Sequence, residues 1–302
     1  MNRYIDRHLN KSKYFADPKS DGIGYRSVYG WTDFMLSRNL IYSHRKTDYS
    51  RAEFDETAHI HDYYELVIYM GGNVDFVTES KILSPAPMSA VFFRPGEIHN
   101  TRLNEPSVYE RCVFYFYSEL FLHEGKYLPF CDFLTEPTGN FFEINTDIQK
   151  EISAAIVLLD CELKKNAPNP LLCTLRAMEI FDILSRSEKN CCDSGKDLPA
   201  KMLEIKDYID KNYAEISSVT EISEHFFYTR EYVSRLFKRY YNVSVSDYLA
   251  RQRITHAIDL IKNGSSVTNA AIDTGFGSPS SFYLTFKRIV GMSPSDFAKR
   301  ER

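Results

Sequence analysis

Two rhythms divide this chain. From about residue 25 to 117, apolar positions come in short runs rich in Val, Phe and Tyr, broken by Gly, Pro and Asn. "YYELVIYMGGNVDFVTE" predicts strand, turn, strand, with Gly71, Gly72 and Asn73 as the turn. "SAVFFRPGEIH" and "VYERCVFYFY" add further strands. Several short strands at close spacing predict a β-barrel or sandwich. From 145 to 187 the period lengthens, and "NAPNP" splits two helical stretches. The polar segment "SEKNCCDSGKDLP" supplies a linker over 188–198. Beyond Pro199 the pattern is helical throughout, opening on an amphipathic stripe of Met202, Ile205, Tyr208 and Ile209. The chain therefore reads as α+β in two domains, 1–187 and 199–302.

The helical third contains a repeat. "FKRYYNVSVSDY" at 237–248 returns as "FKRIVGMSPSDF" at 286–297, with six of twelve residues identical. Ser218 with Glu221, Thr229, and Ser244 with Asp247 are helix-start signals in the first copy; Ser278 with Pro279 and Ser293 with Pro294 serve in the second. Asn242 and Gly291 share one position, and both tolerate the left-handed backbone that closes a helix. Each copy reads as short helix, tight turn and second helix, the helix-turn-helix unit whose second helix enters the major groove of DNA.

On the first of these second helices, Glu231, Ser234, Arg235 and Lys238 fall on one face, opposite Val233, Leu236, Phe237 and Tyr240. Arg grips guanine and Ser bonds several bases. Arg230, Lys238 and Arg239 suit phosphates. A solvated charged face is the plain reading of one such helix, and two units in tandem favour DNA. The second copy offers Ser280, Ser281, Tyr283, Leu284 and Lys287. Leu284 stands where the first has Arg235, so base reading there is weaker or more apolar. The Lys-Arg of each repeated phrase is directed at the DNA backbone. A helix over 244–263 joins the units, which predicts second helices about 34 Å apart in successive grooves.

These residues resemble the DNA-binding domain of AraC/XylS-type transcription regulators. The likeness rests on "YVSRLFKR", Tyr248, Arg253, Ile254, Ala257, Ala271, Gly275, Phe276 and "FKRIVGMSPSDF". Ser223, Asn242 and Ala298 depart from the family's usual Ala, Gly and Arg. The resemblance implies a seven-helix domain, an operator of two adjacent major-groove segments, and a homodimer formed by the preceding region. RNA polymerase becomes a partner if the protein is an activator.

In the first domain, "AHIHDYYELVIYMGG" carries His59, His61 and Glu65 at even separations, and "RPGEIH" adds His99. This resembles the cupin pattern H-x-H-x3-E-x6-G, so the fold expected is a cupin-like β-barrel followed by helices. Such a set could bind a divalent metal through His59, His61, Glu65 and His99. It also lines metal-free effector pockets in regulators of the resembled type. Tyr63, Tyr69 and Arg94 join the candidate effector set, a lining suited to a sugar or other hydroxylated molecule.

Composition narrows the classes. A net charge of −4 argues against indiscriminate nucleic-acid binding. It hides an asymmetry, because residues 197–302 hold 15 Lys and Arg against 13 Asp and Glu, whereas the rest holds 22 against 28. "MNRYIDRHLNKSKYF" lacks an apolar signal core, and no run of about 18 apolar residues predicts a membrane span. Six cysteines without a CxxC pair suit reduced thiols in a cytoplasm. The reading is a cytoplasmic, non-enzymatic transcription regulator controlled by a small effector. Its rivals are a metal-dependent cupin enzyme or metal sensor fused to a DNA-binding domain, and a constitutive DNA binder whose first domain only dimerises.

Overall fold

The computed structural model describes residues 24–28, 31–37, 39–50, 58–123, 126–127, 141–186 and 195–300. The first fifteen residues and positions 188–194 of the expected linker lie outside that set.

Strands β1 (Gly24–Val28), β2 (Trp31–Ser37), β3 (Leu40–Asp48), β4 (Tyr64–Gly71), β7 (Ser89–Phe93), β9 (Val108–Phe116) and β12 (Phe141–Phe142) form one sheet in the order β1-β2-β3-β9-β4-β7-β12. A second sheet has the order β13-β6-β5-β8, built from β5 (Val74–Val77), β6 (Lys81–Leu83), β8 (Asn100–Leu103) and β13 (Lys196–Asp197). A small pair, β10 (Leu122–His123) and β11 (Lys126–Tyr127), stands apart. Among the described residues the strands form open sheets and close no barrel.

The turn at Gly72 is not a hairpin turn. It carries the chain from β4 in the large sheet to β5 in the small one, with Gly72 at φ +136. A Cβ there would meet Tyr109 Cα at 3.1 Å, so the residue must be small as well as permissive.

Helices α1 (Thr146–Leu163) and α2 (Pro170–Ser185) begin at Asn145 and Asn169, whose side chains accept from Ile148 N and Leu172 N. They cover one face of the large sheet. Leu66, Ile68, Cys112, Phe114 and Phe116 point at Ile152, Ile156, Leu159 and Phe181. Alternate residues Val67, Tyr69, Val113 and Tyr115 point the other way, against Val74, Phe76 and Leu83 of the small sheet. Burial on both faces explains why β4 and β9 read as nearly continuous apolar runs.

Residues 200–300 form seven helices: α3 (Ala200–Asn212), α4 (Val219–His225), α5 (Arg230–Tyr241), α6 (Val245–Lys262), α7 (Val267–Asp273), α8 (Pro279–Val290) and α9 (Pro294–Arg300). Ser218, Thr229, Ser244, Ser266 and Ser278 each cap a helix with a side-chain oxygen. Asn242 and Gly291 close α5 and α8 in the left-handed region, at φ 54 and φ 82. The two units have separate apolar centres, Val233, Phe237 and Tyr248 in the first and Ile258, Phe282 and Phe286 in the second. Helix α6 contributes to both.

The end of the expected linker is structured. Lys196 and Asp197 pair with Ile82 and Lys81, and Leu198 is buried. One apolar cluster also crosses between the halves. Ala58, Ile60, Val77 and Ile98 pack with Met202, Ile205, Phe237 and Tyr241.

Candidate functional site

Each helix-turn-helix unit buries one side of its second helix and presents the other. On α5, Val233, Phe237 and Tyr241 are buried, while Leu236 and Tyr240 are half-buried. Arg230, Glu231, Arg235, Lys238 and Arg239 are exposed, and Ser234 is half-buried beside them. On α8, Phe282, Phe286, Ile289 and Val290 are buried; Ser280, Ser281, Tyr283, Leu284 and Lys287 are exposed. Exposure of Leu284 reaches 68%, an uncommon placement for a leucine inside an ordered helix.

The arginine of the second repeated phrase has a partner within the chain that the expectation did not include. Arg288 is committed within the protein, donating to Asp247 Oδ1 at 2.8 Å, and Asp247 also accepts from Arg251 Nε at 2.8 Å. Burial raises the Asp247 carboxyl, but Arg251 and Arg288 outweigh it and hold it below its ordinary value. Lys238 Nζ donates to Asn242 O at 3.2 Å across the turn. Arg253 secures the frame from α6, donating to Tyr213 O at 2.8 Å and Ile216 O at 2.6 Å. A single side chain thereby ties the α3–α4 connection to the helix between the two units.

The second constellation lies between the sheets. His59 and His99 form an isolated antiparallel bridge, with N–H to O distances of 2.9 and 3.1 Å. The chain bends after His61, and Glu65 sits on β4. The ligand atoms of His59, His61, Glu65 and His99 all lie within 4.8 Å of one another, and all four residues are buried. Three imidazole Nε2 atoms converge on Glu65 Oε2, at 3.1 Å from His61, 3.5 Å from His99 and 4.0 Å from His59. His61 Nδ1 is 2.7 Å from Tyr63 O, and His99 Nδ1 is 2.9 Å from Glu97 O. A carbonyl only accepts, so both Nδ1 atoms carry the hydrogen and turn their Nε2 lone pairs inward.

Burial, with His99 adding to it, lowers the His59 imidazole to about 3, and burial also lowers His61. Burial works to raise Glu65, whereas ring N–H groups turned to it would hold the carboxyl well below its ordinary value, as a cation in the same place would. Neutral imidazoles at His59 and His61 are the protonation state a divalent metal requires of such ligands.

The remaining candidates divide. Tyr63 stacks on His61 at 4.0 Å between ring centres, and Phe93, missed in the sequence, stacks on His99 at 3.9 Å. Tyr69 lies further along β4 and donates to Gly72 O at 2.6 Å. Arg94 pairs with Glu97 at 3.3 Å. The structure therefore gathers His59, His61, Tyr63, Glu65 and His99, and engages Tyr69 and Arg94 elsewhere.

Several further residues connect this cluster to the first unit. Ala58 N–H, next to His59, donates to Tyr241 O at 2.8 Å, and Arg102 Nη2 donates to Arg239 O at 3.1 Å. Tyr241 Oη donates to Glu79 O at 2.8 Å. Carbonyls at the C-terminal end of a helix lack intrahelical partners, so the first domain supplies them for α5. Long-range backbone contacts leave no period or motif, which is why the sequence did not disclose them. A cavity of about 210 Å³ opens elsewhere between the halves, where the first domain meets α6, lined by Asp62, Tyr64, Tyr117, Glu119, Asp259 and Lys262 among others.

Comparison with known proteins bears on the helical third. The family described as a helix-turn-helix domain matches residues 222–300. The melibiose operon regulatory protein of Escherichia coli (strain K12) is 31% identical over 93 residues, covering 30% of this chain and 31% of that protein. An uncharacterized HTH-type transcriptional regulator of Staphylococcus aureus is 32% identical over 98 residues, 32% of this chain and 13% of that protein. The chain thus spans under a third of the length of these curated relatives. Among solved structures, a transcriptional regulator with an AraC-type DNA-binding domain from Chromobacterium violaceum is 24% identical, with a TM-score of 0.32, covering 33% of this chain and 91% of that one. Unsaturated fatty acid bound ToxT from Vibrio cholerae is 17% identical, with a TM-score of 0.35, covering 86% and 95%. No described helix is long and apolar enough to cross a membrane. The paired units and their shared α6 frame occupy the segment that this family matches, so residues 222–300 are similar to a helix-turn-helix domain.

Proposed function

We propose that this protein is a sequence-specific, DNA-binding transcription regulator. Its cupin-like first domain, 1–187, receives a small effector and forms a homodimer, and 199–302 reads the operator. The observation that carries the reading is the tandem of second helices with exposed polar faces on one α6 frame. Arg235 reads a base, Ser234 and Glu231 accompany it, and Arg230, Lys238 and Arg239 meet phosphates. The second unit reads through Ser280, Ser281, Tyr283 and Leu284, with Lys287 on the backbone. The work is recognition, not catalysis, and the compartment is the cytoplasm. RNA polymerase is a partner if binding activates.

A mobility-shift assay tests this, using the full chain and a duplex selected from a random DNA pool. Binding should fall steeply with salt, and Arg235→Ala should weaken it about tenfold or more. Failure to select any duplex sinks the reading.

For the effector, two readings have support. A hydroxylated molecule such as a sugar suits the carboxylates and tyrosines of the cavity beside α6, where it touches both halves. A divalent metal suits the histidine cluster, because the inward lone pairs of His61 and His99, facing a carboxylate at 3.1 and 3.5 Å, call for a cation among them. His59, His61, Glu65 and His99 would hold it, and Tyr63 O and Glu97 O orient two of the rings. The chemistry supplied there is charge neutralisation and cross-linking of the bridge to β4. Metal analysis of protein purified without chelators separates the readings: stoichiometric metal lost on His61→Ala favours the ion, and a melting shift with sugars alone favours the cavity.

A further inference from the structure

The turn of the first unit holds an anomaly that the DNA-reading face does not explain. Phe227 N–H donates to Glu224 O, three residues back, and Tyr228 N–H donates to Ser223 O, five back. In the second unit, Gly275 N–H donates to Ile272 O and Phe276 N–H to Ala271 O in the same pattern. Phe227 and Gly275 are therefore equivalent, and both are left-handed, at φ 56 and φ 77. That conformation suits glycine and strains a bulky side chain.

Lone exposed apolar residues are ordinary on protein surfaces. A phenylalanine held left-handed and 96% exposed is not, since it bears strain and gains no burial within the chain. Its neighbours behave differently: Phe226 and Tyr228 are half-buried against the core of the unit. Phe227 lies two residues before Thr229, the cap that starts α5. The N-terminal end of a recognition helix is the end that enters the groove. Cations flank the spot, with Arg230 exposed and Lys201 Nζ 5.6 Å from the Tyr228 ring. A basic edge with one projecting aromatic ring fits the wall of a DNA groove, where apolar nucleotide surface borders phosphate.

We propose that Phe227 is a further DNA contact of the first unit, packing on the apolar face of a nucleotide at the edge of the major groove. Resting on the DNA-binding reading above, this adds an anchor outside the polar face of α5. The apolar surface is either a thymine C5-methyl or a deoxyribose ring. Gly275 offers no counterpart, so the contact belongs to one unit only.

The test uses the full chain and a duplex selected from a random DNA pool. Phe227→Gly and Phe227→Asn both suit a left-handed position and should melt at or above the wild-type temperature. Each should weaken binding about tenfold while leaving the salt slope unchanged, because no phosphate contact is removed. Arg235→Ala is the control. If it weakens binding while both Phe227 variants stay within twofold of wild type, the proposal is overturned and the DNA reading stands. If Arg235→Ala also binds normally, or no duplex can be selected, both fail. Uracil in place of thymine separates the two sources. A loss with wild type that disappears in Phe227→Gly marks the methyl, and equal binding to both duplexes, together with the tenfold variant effect, marks the sugar.

Discussion

Arg235 and Leu284 occupy one position in the two units, exposed on α5 and α8. An arginine makes two hydrogen bonds to guanine, worth about 1–3 kcal/mol of discrimination, whereas a leucine makes only apolar contact. Arg235→Ala should therefore relax base preference at one operator position by that amount. Leu284→Ala should cost less and leave guanine preference untouched. Binding measured against operators mutated base by base checks this, and equal losses in both variants would contradict an unequal pair of readers. These residues were legible because helical spacing alone decides which side chains share a face. The buried cluster was only partly legible: even spacing suggested that His59, His61 and Glu65 share one side, but a bend after His61 intervenes. Bridging to His99 gathers the set instead. The Arg94 pairing with Glu97 was not legible either, since it is a loop contact without a period.

Elements are fastened by few groups, and two of these make sharp predictions. Gly275 and Gly264 are both left-handed, at φ +77 and φ +90, yet their surroundings differ. A Cβ at Gly275 would sit 2.0 Å from Ala214 O, whereas at Gly264 nothing lies within 4 Å. Gly264→Ala should cost about 1–2 kcal/mol of stability from backbone strain alone. Gly275→Ala should cost more than about 3 kcal/mol, because backbone must also move. Denaturant titration of both variants decides whether crowding adds to strain. Helix α1 is held on the large sheet by His44, whose Nδ1 lies 2.6 Å from Asp160 Oδ2 and whose Nε2 lies 3.2 Å from Glu110 Oε1. The hydrogen bond to Asp160, foremost, raises the imidazole from 6.5 to about 10. The folded value exceeds the unfolded one, so this stabilisation is complete below about pH 6.5 and is lost as pH rises through about 10. Melting temperature should fall across that window, and His44→Ala should flatten the fall. Helix starts were readable from Ser218, Thr229, Ser244 and Ser278, but the caps at Asn145 and Asn169 and the sheet partners of each strand were not. The Gly72 turn looks like a hairpin in sequence, and only the pairing of β4 with β7 and β9 shows that it changes sheets.

At the scale of the whole molecule, the two halves share an apolar cluster and a set of backbone hydrogen bonds. A ligand in the first domain can alter DNA binding only if it favours one arrangement of the halves over another. The route offered by the structure is short: His99 pairs with His59, Ala58 directly precedes His59 in the chain, and Ala58 N–H holds Tyr241 O at the end of α5. Arg102 holds Arg239 O at the same helix end. Removing that guanidinium with Arg102→Ala leaves the reading face intact and should cost about 1 kcal/mol of stability, since the side chain is partly solvated. The informative measurement is the fold-change in operator affinity produced by a ligand that raises the melting temperature. In wild type that fold-change reports the coupling between ligand and operator; in Arg102→Ala it should shrink, while operator affinity without ligand shifts little. Faster amide exchange at Ala58 in the variant would show that the seam itself has loosened. Full retention of the ligand response, with exchange at Ala58 accelerated, would mean that the signal reaches α5 by another path.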